Sequence, residues 1–236
     1  MRKEPYMVGD FVHVYNRGNR KQPIVLDLKD QWRFLLMLRY FNDEYSPMNI
    51  FREINALWKS DFYGSFEWSA SWPDHKPLVN IVCFTLVPNH YHFILEEIAD
   101  GGITKFMRKL GTGMTNYFNT KYKESGRLFQ GAFKAKRIDT ENYLSYLTVY
   151  IQVKNVFELY PGGIKKAMEN FEDAFEWAVK YPYCSLADYA GNRNSPIIEK
   201  SIAGDMFPSV EEYREFAKKC MFDMNLDDKL SKLIFD

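Results

Sequence analysis

The run "VPNHYHFIL", Val87 to Leu95, sets two of the chain's four histidines, His90 and His92, one residue apart at the head of an apolar stretch. Side chains at i and i+2 of an extended strand leave the same face, so both imidazoles would point one way and Tyr91 the other. Such a pair is either half of a metal site or a coincidence of spacing. His13 alternates with Val12 and Val14 and could approach the pair from a neighbouring strand or serve as a satisfied structural histidine; His75 has no assigned place. A second block runs from Lys105 to Arg137. There nine basic residues (Lys105, Arg108, Lys109, Lys121, Lys123, Arg127, Lys134, Lys136, Arg137) meet one acid, Glu124, for a local charge of +8. Phe106, Tyr117, Phe118, Tyr122, Phe129 and Phe133 are interleaved with it. That mixture suits single-stranded nucleic acid, which needs cations for phosphates and rings for bases; it equally suits a helix with a solvated basic face. Tyr143, Tyr146 and Tyr150 recur at i, i+3 and i+7 and would share one helix face, a pattern more often of core packing than of chemistry.

The scaffold for these residues is an alternation of short elements. "FVHVYNRG" (Phe11 to Gly18) alternates apolar and polar residues as a half-buried strand does, and a turn rich in Asn and Arg follows, with Asn16, Arg17 and Arg20. "DLKDQWRFLLMLRYFNDEY" carries Leu28, Trp32, Leu35, Leu36, Leu38 and Phe41 at helical spacing, with Asp27 as N-cap. Residues 46–77 are rich in aromatics, close at Pro73 and Pro77, and read as an insertion. "LVNIVCFTLVP" and "YHFILEEI" are strands meeting at Pro88-Asn89. "ITKFMRKLGTGMTNYFNTKYK" is a helix with Gly111 and Gly113 near its middle, "GRLFQGAFKAKRID" a strand with a glycine-broken start, and "TENYLSYLTVYIQVKNVFEL" a helix capped by Thr140. This order predicts an α+β fold: a ferredoxin-like antiparallel sheet with helices on one face, plus an added helix bearing the tyrosines. Residues 1–195 are expected to form one domain and 196–236 a helical extension, with nine acids and six bases from Glu199 onward.

Composition bounds the function classes. A chain of 236 residues, 46% hydrophobic and 17% aromatic, can bury a sizeable core, which excludes a disordered chain. No run reaches 18 apolar residues and "MRKEPYMVGD" lacks the apolar stretch of a signal peptide, so a cytoplasmic protein without a membrane partner is expected. Cys83, Cys184 and Cys220 are too scattered for a disulfide framework or a cysteine zinc site and read as reduced, buried thiols.

The chain resembles the HUH single-tyrosine transposases of bacterial insertion sequences, and most closely the REP-associated tyrosine transposases. The resemblance runs from "HVYNRGNRKQPIVLDLKDQWRFLLML" through "FTLVPNHYHFILEE" to "FMRKLGTGMTNYFNTKYKESGRLFQGAFKAKRIDTENYLSYLTVYIQVKN" and "YPYCSLADYAG", most of residues 11–191. It implies that His90 and His92 hold a divalent ion, Mg²⁺ or Mn²⁺, against the scissile phosphate of single-stranded DNA. It implies that Tyr150 in "VYIQVKN" is the nucleophile, with Tyr146 one turn earlier as the fallback. The product would be a 5′-phosphotyrosine and a free 3′-OH, which conserves the bond for rejoining. Asn16, Arg17 and Arg20 match a family segment near bound DNA, where a surface loop is the alternative. Lys105, Arg108, Arg127, Lys134, Lys136 and Arg137 supply charge for the backbone, and Gln130 could touch substrate or cap a strand. The partner is then single-stranded or hairpin DNA, a repeat element, and the protein a monomer or homodimer.

One position departs from the family pattern. Its members usually carry Gln or Asn four residues after the tyrosine as a third metal ligand; this chain has Lys154 there, with Asn155 next. An ammonium cannot ligate a cation unless deprotonated. Asn155 could take the place through a local helix distortion, water or another side chain could complete the shell, or activity could be lost, leaving a relative that only binds structured DNA or RNA. Lys154 could also contact the phosphate as a point charge. A phosphodiesterase without a covalent step is a third reading.

Overall fold

The computed structural model describes residues 5–46, 49–59 and 71–223. Strands β1 (Phe11–Arg17), β2 (Val79–Val87), β3 (His90–Glu97) and β4 (Lys134–Arg137) form one antiparallel sheet in the order β2-β3-β1-β4. The α+β, ferredoxin-like expectation holds. Strands β2 and β3 are buried almost throughout because both of their faces are covered, and they join through Pro88-Asn89 with Val87 paired to His90. The short basic β4 forms one edge, where lysines discourage pairing with another chain.

One face of the sheet, with Val12, Val14, Tyr91, Phe93 and Leu95, packs on α1 (Leu28–Phe41), α2 (Ile50–Lys59) and α3 (Gly102–Tyr122). Asp27 caps α1 by accepting from the Asp30 N–H at 3.0 Å. Gly113 lets α3 approach α1: a Cβ there would stand 2.3 Å from the Phe41 ring. His75 accepts from Arg39 at Nδ1 (2.6 Å) and donates from Nε2 to the Asn42 carbonyl (2.8 Å), so it pins the chain entering β2 onto the end of α1. The expected 46–77 insertion thus contributes α2 and this anchor; its residues 47–48 and 60–70 lie outside the described residues.

The opposite face packs on α4 (Glu141–Val149), a single π-helical turn (Tyr150–Lys154), α5 (Asn155–Phe157), α6 (Gly163–Glu169), α7 (Phe171–Val179), α8 (Leu186–Tyr189), α9 (Ser201–Asp205) and α10 (Val210–Phe222). The added helix is therefore the first of several pieces on that face. Thr140 caps α4 as expected, accepting from the Tyr143 N–H at 3.2 Å. Ala203 of α9 and Tyr213, Ala217 and Cys220 of α10 enter the same apolar cluster; the rest of the expected extension, 224–236, lies outside the described residues.

Two local readings are corrected. The strand expected over 126–139 shrinks to Lys134–Arg137. Gly126 adopts φ +93°, outside the extended region, and Leu128 and Phe129 are buried away from any ladder. Residues 126–133 instead form a loop hooked to the end of β1: Gly18 bridges Phe129, and the Gln130 N–H donates to the Arg17 carbonyl at 3.0 Å. Asn16 and Arg17 are not turn residues. They end β1 as ladder partners of Tyr91 and His90. Among the described residues no helix is long and apolar enough to cross a membrane.

Candidate active site

The sheet register decides which side chains meet. His92 lies opposite Tyr15 and His90 opposite Arg17, so His13, Tyr15, Arg17, His90 and His92 share one face. The rings of His90 and His92 lie 5.2 Å apart. Each imidazole uses Nδ1 on a protein partner. His90 Nδ1 donates to Asn89 Oδ1 at 2.6 Å, which leaves the lone pair on Nε2. His92 Nδ1 meets His13 Nε2 at 2.9 Å. When His92 donates in that bond its Nε2 lone pair is open, at the cost of a His13 Nδ1 that is buried without a partner.

The site favours neutral imidazoles. Burial, reinforced by Arg17 and Lys154 against the opposing charge of Glu158, holds His90 down to about 4. Burial and the nearby Lys136 hold His13 down to about 3, and burial with His13 and His90 holds His92 well below the usual range. Neutral imidazole is the form that ligates a metal.

Tyr150 packs its ring edge-on to His92, 5.6 Å between centroids, and is 9% exposed. Tyr146 instead packs on Phe216 of α10. Tyr150 opens the π turn, in which the Asn155 N–H reaches the Tyr150 carbonyl, five residues back instead of four. A turn of this width has an extra residue and needs outside partners for its carbonyls. Thr85 Oγ1 on β2 donates to the Ile151 carbonyl, and the Cys184 thiol donates to that of Gln152. The Gln152 side chain is fixed in turn, donating to Ser185 Oγ at 2.8 Å and accepting from the Tyr213 hydroxyl of α10.

The wide turn changes which residue closes the hydrogen bond on the Tyr150 carbonyl: in a regular helix it would be Lys154; here it is Asn155. Lys154 lies with its ammonium 5.1 Å from the Tyr150 ring centre and paired to Glu158 at 2.7 Å. Asn155 is 1% exposed and its Nδ2 has no hydrogen-bond partner. The two imidazoles on one face would give a divalent ion an incomplete donor set, to be completed by water, substrate oxygens or an amide such as that of Asn155. No cluster of three or more His, Cys, Asp or Glu side chains fit for a metal occurs among the described residues.

The other residues singled out in the sequence divide between regions. Arg17 is exposed on the histidine face, and Lys134 and Lys136, paired with Tyr15 and His13, share that face of the sheet. Arg20 is exposed in a tight turn at φ +54°. Asn16 is buried and holds the loop, donating to the Gly131 carbonyl at 3.1 Å. Arg108 and Arg127 lie on the other side, beside a cavity between α3 and the 126–133 loop. The +8 block is partly neutralised within the fold: Arg137 pairs with Asp10 and Lys121 with Asp27 and Asp30, while Lys105 and Lys109 bond the carbonyls of Asp100 and Asp43. Sequence reasoning left His13 open between two roles, although its alternation in β1 was the available signal. It missed Thr85, Gln152, Cys184 and Tyr213, for which no local signal exists.

No protein-family model matches the chain, and no curated protein does. Among solved structures, a REP-associated tyrosine transposase bound to a REP hairpin matches 84% of this chain and 89% of its own, at 14% sequence identity and a TM-score of 0.44. That is a distant structural likeness.

Proposed function

We propose that this protein binds single-stranded or hairpin DNA and cleaves and rejoins it through Tyr150. The observation that supports the reading is the Tyr150 ring packed edge-on to His92, 5.6 Å between centroids, at the head of a π turn closed by a hydrogen bond from the Asn155 N–H to the Tyr150 carbonyl. In the proposed step the Tyr150 oxygen attacks phosphorus, the P–O3′ bond breaks, the phenolic proton is lost and the departing oxygen takes up a proton as a 3′-OH. The 5′-phosphate remains on the tyrosine, and the reverse attack by a 3′-OH rejoins a strand. A divalent ion, Mg²⁺ or Mn²⁺, held by His90, His92 and Asn155, would supply positive charge to a phosphate oxygen. His13 orients His92 through its Nδ1, and Arg17 and the Lys154 ammonium add positive charge to the same region. Incubation with a single-stranded oligonucleotide and Mn²⁺ tests the reading: a DNA-linked band that survives denaturing electrophoresis supports it. Binding without such a band on any single-stranded or hairpin substrate supports the binding-only alternative, which the cation at position 154 favours.

Position 154 yields a sharper expectation. Deleting Lys154 removes the extra residue, so the π turn should close to an ordinary α turn with the Asn155 N–H still on the Tyr150 carbonyl; if the amide serves the site, adduct formation should persist. Asn155→Ala should reduce it. Activity lost on deletion but retained in Asn155→Ala would show that the lysine, and not the amide, serves the site.

Charge reversal tests the DNA surface. Lys134→Glu with Lys136→Glu should weaken binding to all single-stranded sequences alike and lower the salt dependence, log K against log salt, by roughly 0.7 for each phosphate no longer neutralised. Arg137→Glu should act mainly on stability through its pair with Asp10. A salt response unchanged in the double variant would remove β4 from the interface.

A further inference from the structure

A second recess lies across the sheet from the histidines. It has a volume of about 680 Å³, runs between the outward side of α3 and the 126–133 loop, and falls in the size range of small-ligand sites. Its floor is apolar, with Met107, Leu128 and Phe129, and Phe133 forms one wall. Apart from two arginines its polar groups are neutral hydroxyls and amides, such as Thr115 and Asn116, and no carboxylate among the described residues lines it. Arg108 and Arg127 stand at it, both exposed and neither with an ion-pair partner among the described residues.

The recess and the histidine face adjoin through the end of β1. Asn16 lines the recess and bonds the Gly131 carbonyl, while its Oδ1 accepts from the Arg17 N–H at 2.9 Å. Arg17, the next residue, faces the other way and stands opposite His90. A chain crossing the end of β1 would therefore meet both regions within a residue or two. Apolar and aromatic walls, hydrogen-bonding amides and hydroxyls, and unpaired guanidinium groups are the features that hold an unstacked base with its phosphates.

We propose that this recess takes one unpaired nucleobase of the bound DNA strand, with Arg108 and Arg127 on the phosphates flanking it. The inference rests on the DNA-binding reading above.

Gly111 offers a clean test. It lines the recess, and a Cβ built on it meets nothing within 4 Å, so a large side chain there fills the recess and not the core. Helix propensity also favours replacing a mid-helix glycine. Gly111→Phe should unfold at the wild-type temperature or above and should bind a twelve-residue oligothymidylate about tenfold more weakly, within the range one stacked base supplies. The same oligomer with abasic sites should bind wild type and variant equally. In parallel, oligothymidylate carrying 5-iododeoxyuridine should photocrosslink to wild-type protein within residues 107–133, a readout that needs no variant to fold. Equal oligothymidylate binding by wild type and Gly111→Phe, an equal loss with the abasic oligomer, or crosslinks confined to other segments would overturn the proposal. If wild type binds neither the oligomer nor a hairpin, the DNA-binding reading fails and the proposal falls with it.

Discussion

Tyr150→Phe is expected to abolish the covalent protein–DNA adduct while leaving DNA affinity at the wild-type level. The substitution removes one oxygen and keeps the ring that packs at 5.6 Å on His92, under the Lys154 ammonium at 5.1 Å. Phe retains the apolar packing of a side chain that is 9% exposed, so the π turn and the helices it joins should survive. Without a phenolic oxygen no phosphotyrosine can form, so the loss should be complete and not graded. Wild-type and variant protein run side by side on a denaturing gel check this. A shifted band of equal intensity from the variant would transfer the role to Tyr146 or to another nucleophile.

His90→Ala and His92→Ala should each cut adduct formation by about 10²–10³-fold, the scale seen when one preorganised electrostatic partner is removed from an active site. Calorimetric titration with Mn²⁺ should show the matching loss of binding, which a purely structural role would not produce. The two variants should differ in stability. His90 bonds the half-buried Asn89, where water can replace the imidazole. His92 bonds His13, which is fully buried and already has one unpartnered nitrogen. His92→Ala strands the second nitrogen as well and should destabilise by about 1–3 kcal/mol more than His90→Ala. Equal melting temperatures would contradict the His13–His92 pairing. Unchanged Mn²⁺ binding in both variants would remove the metal from the site.

The parts of this molecule that were legible in its sequence are those governed by near neighbours. Asp27 and Thr140 announce helix starts because a cap acts over three residues. The two histidines share a face because a strand has a period of two. The π turn was not legible, since nothing within Tyr150–Lys154 requires it; it depends on Thr85, Cys184, Ser185 and Tyr213 from three other segments. Helical spacing alone therefore gave Lys154 the hydrogen bond on the Tyr150 carbonyl that Asn155 makes, and the distortion that brings this about stood in the sequence only as one alternative. The basic block was overcounted for the same reason, because Asp10, Asp27 and Asp30, which neutralise Arg137 and Lys121, lie about a hundred residues away along the chain.

The central claim is that Tyr150 is the atom donor for a covalent link to DNA, and mapping the linkage tests it most directly. Wild-type protein is incubated with Mn²⁺ and a single-stranded or hairpin oligonucleotide, denatured, and digested with protease and nuclease, and the peptides are sequenced by mass spectrometry. A nucleotide phosphate is expected on the peptide containing Tyr150, attached at that residue. A phosphate mapped to Tyr146 or any other residue, or a substrate cleaved with no modified peptide, would contradict the claim.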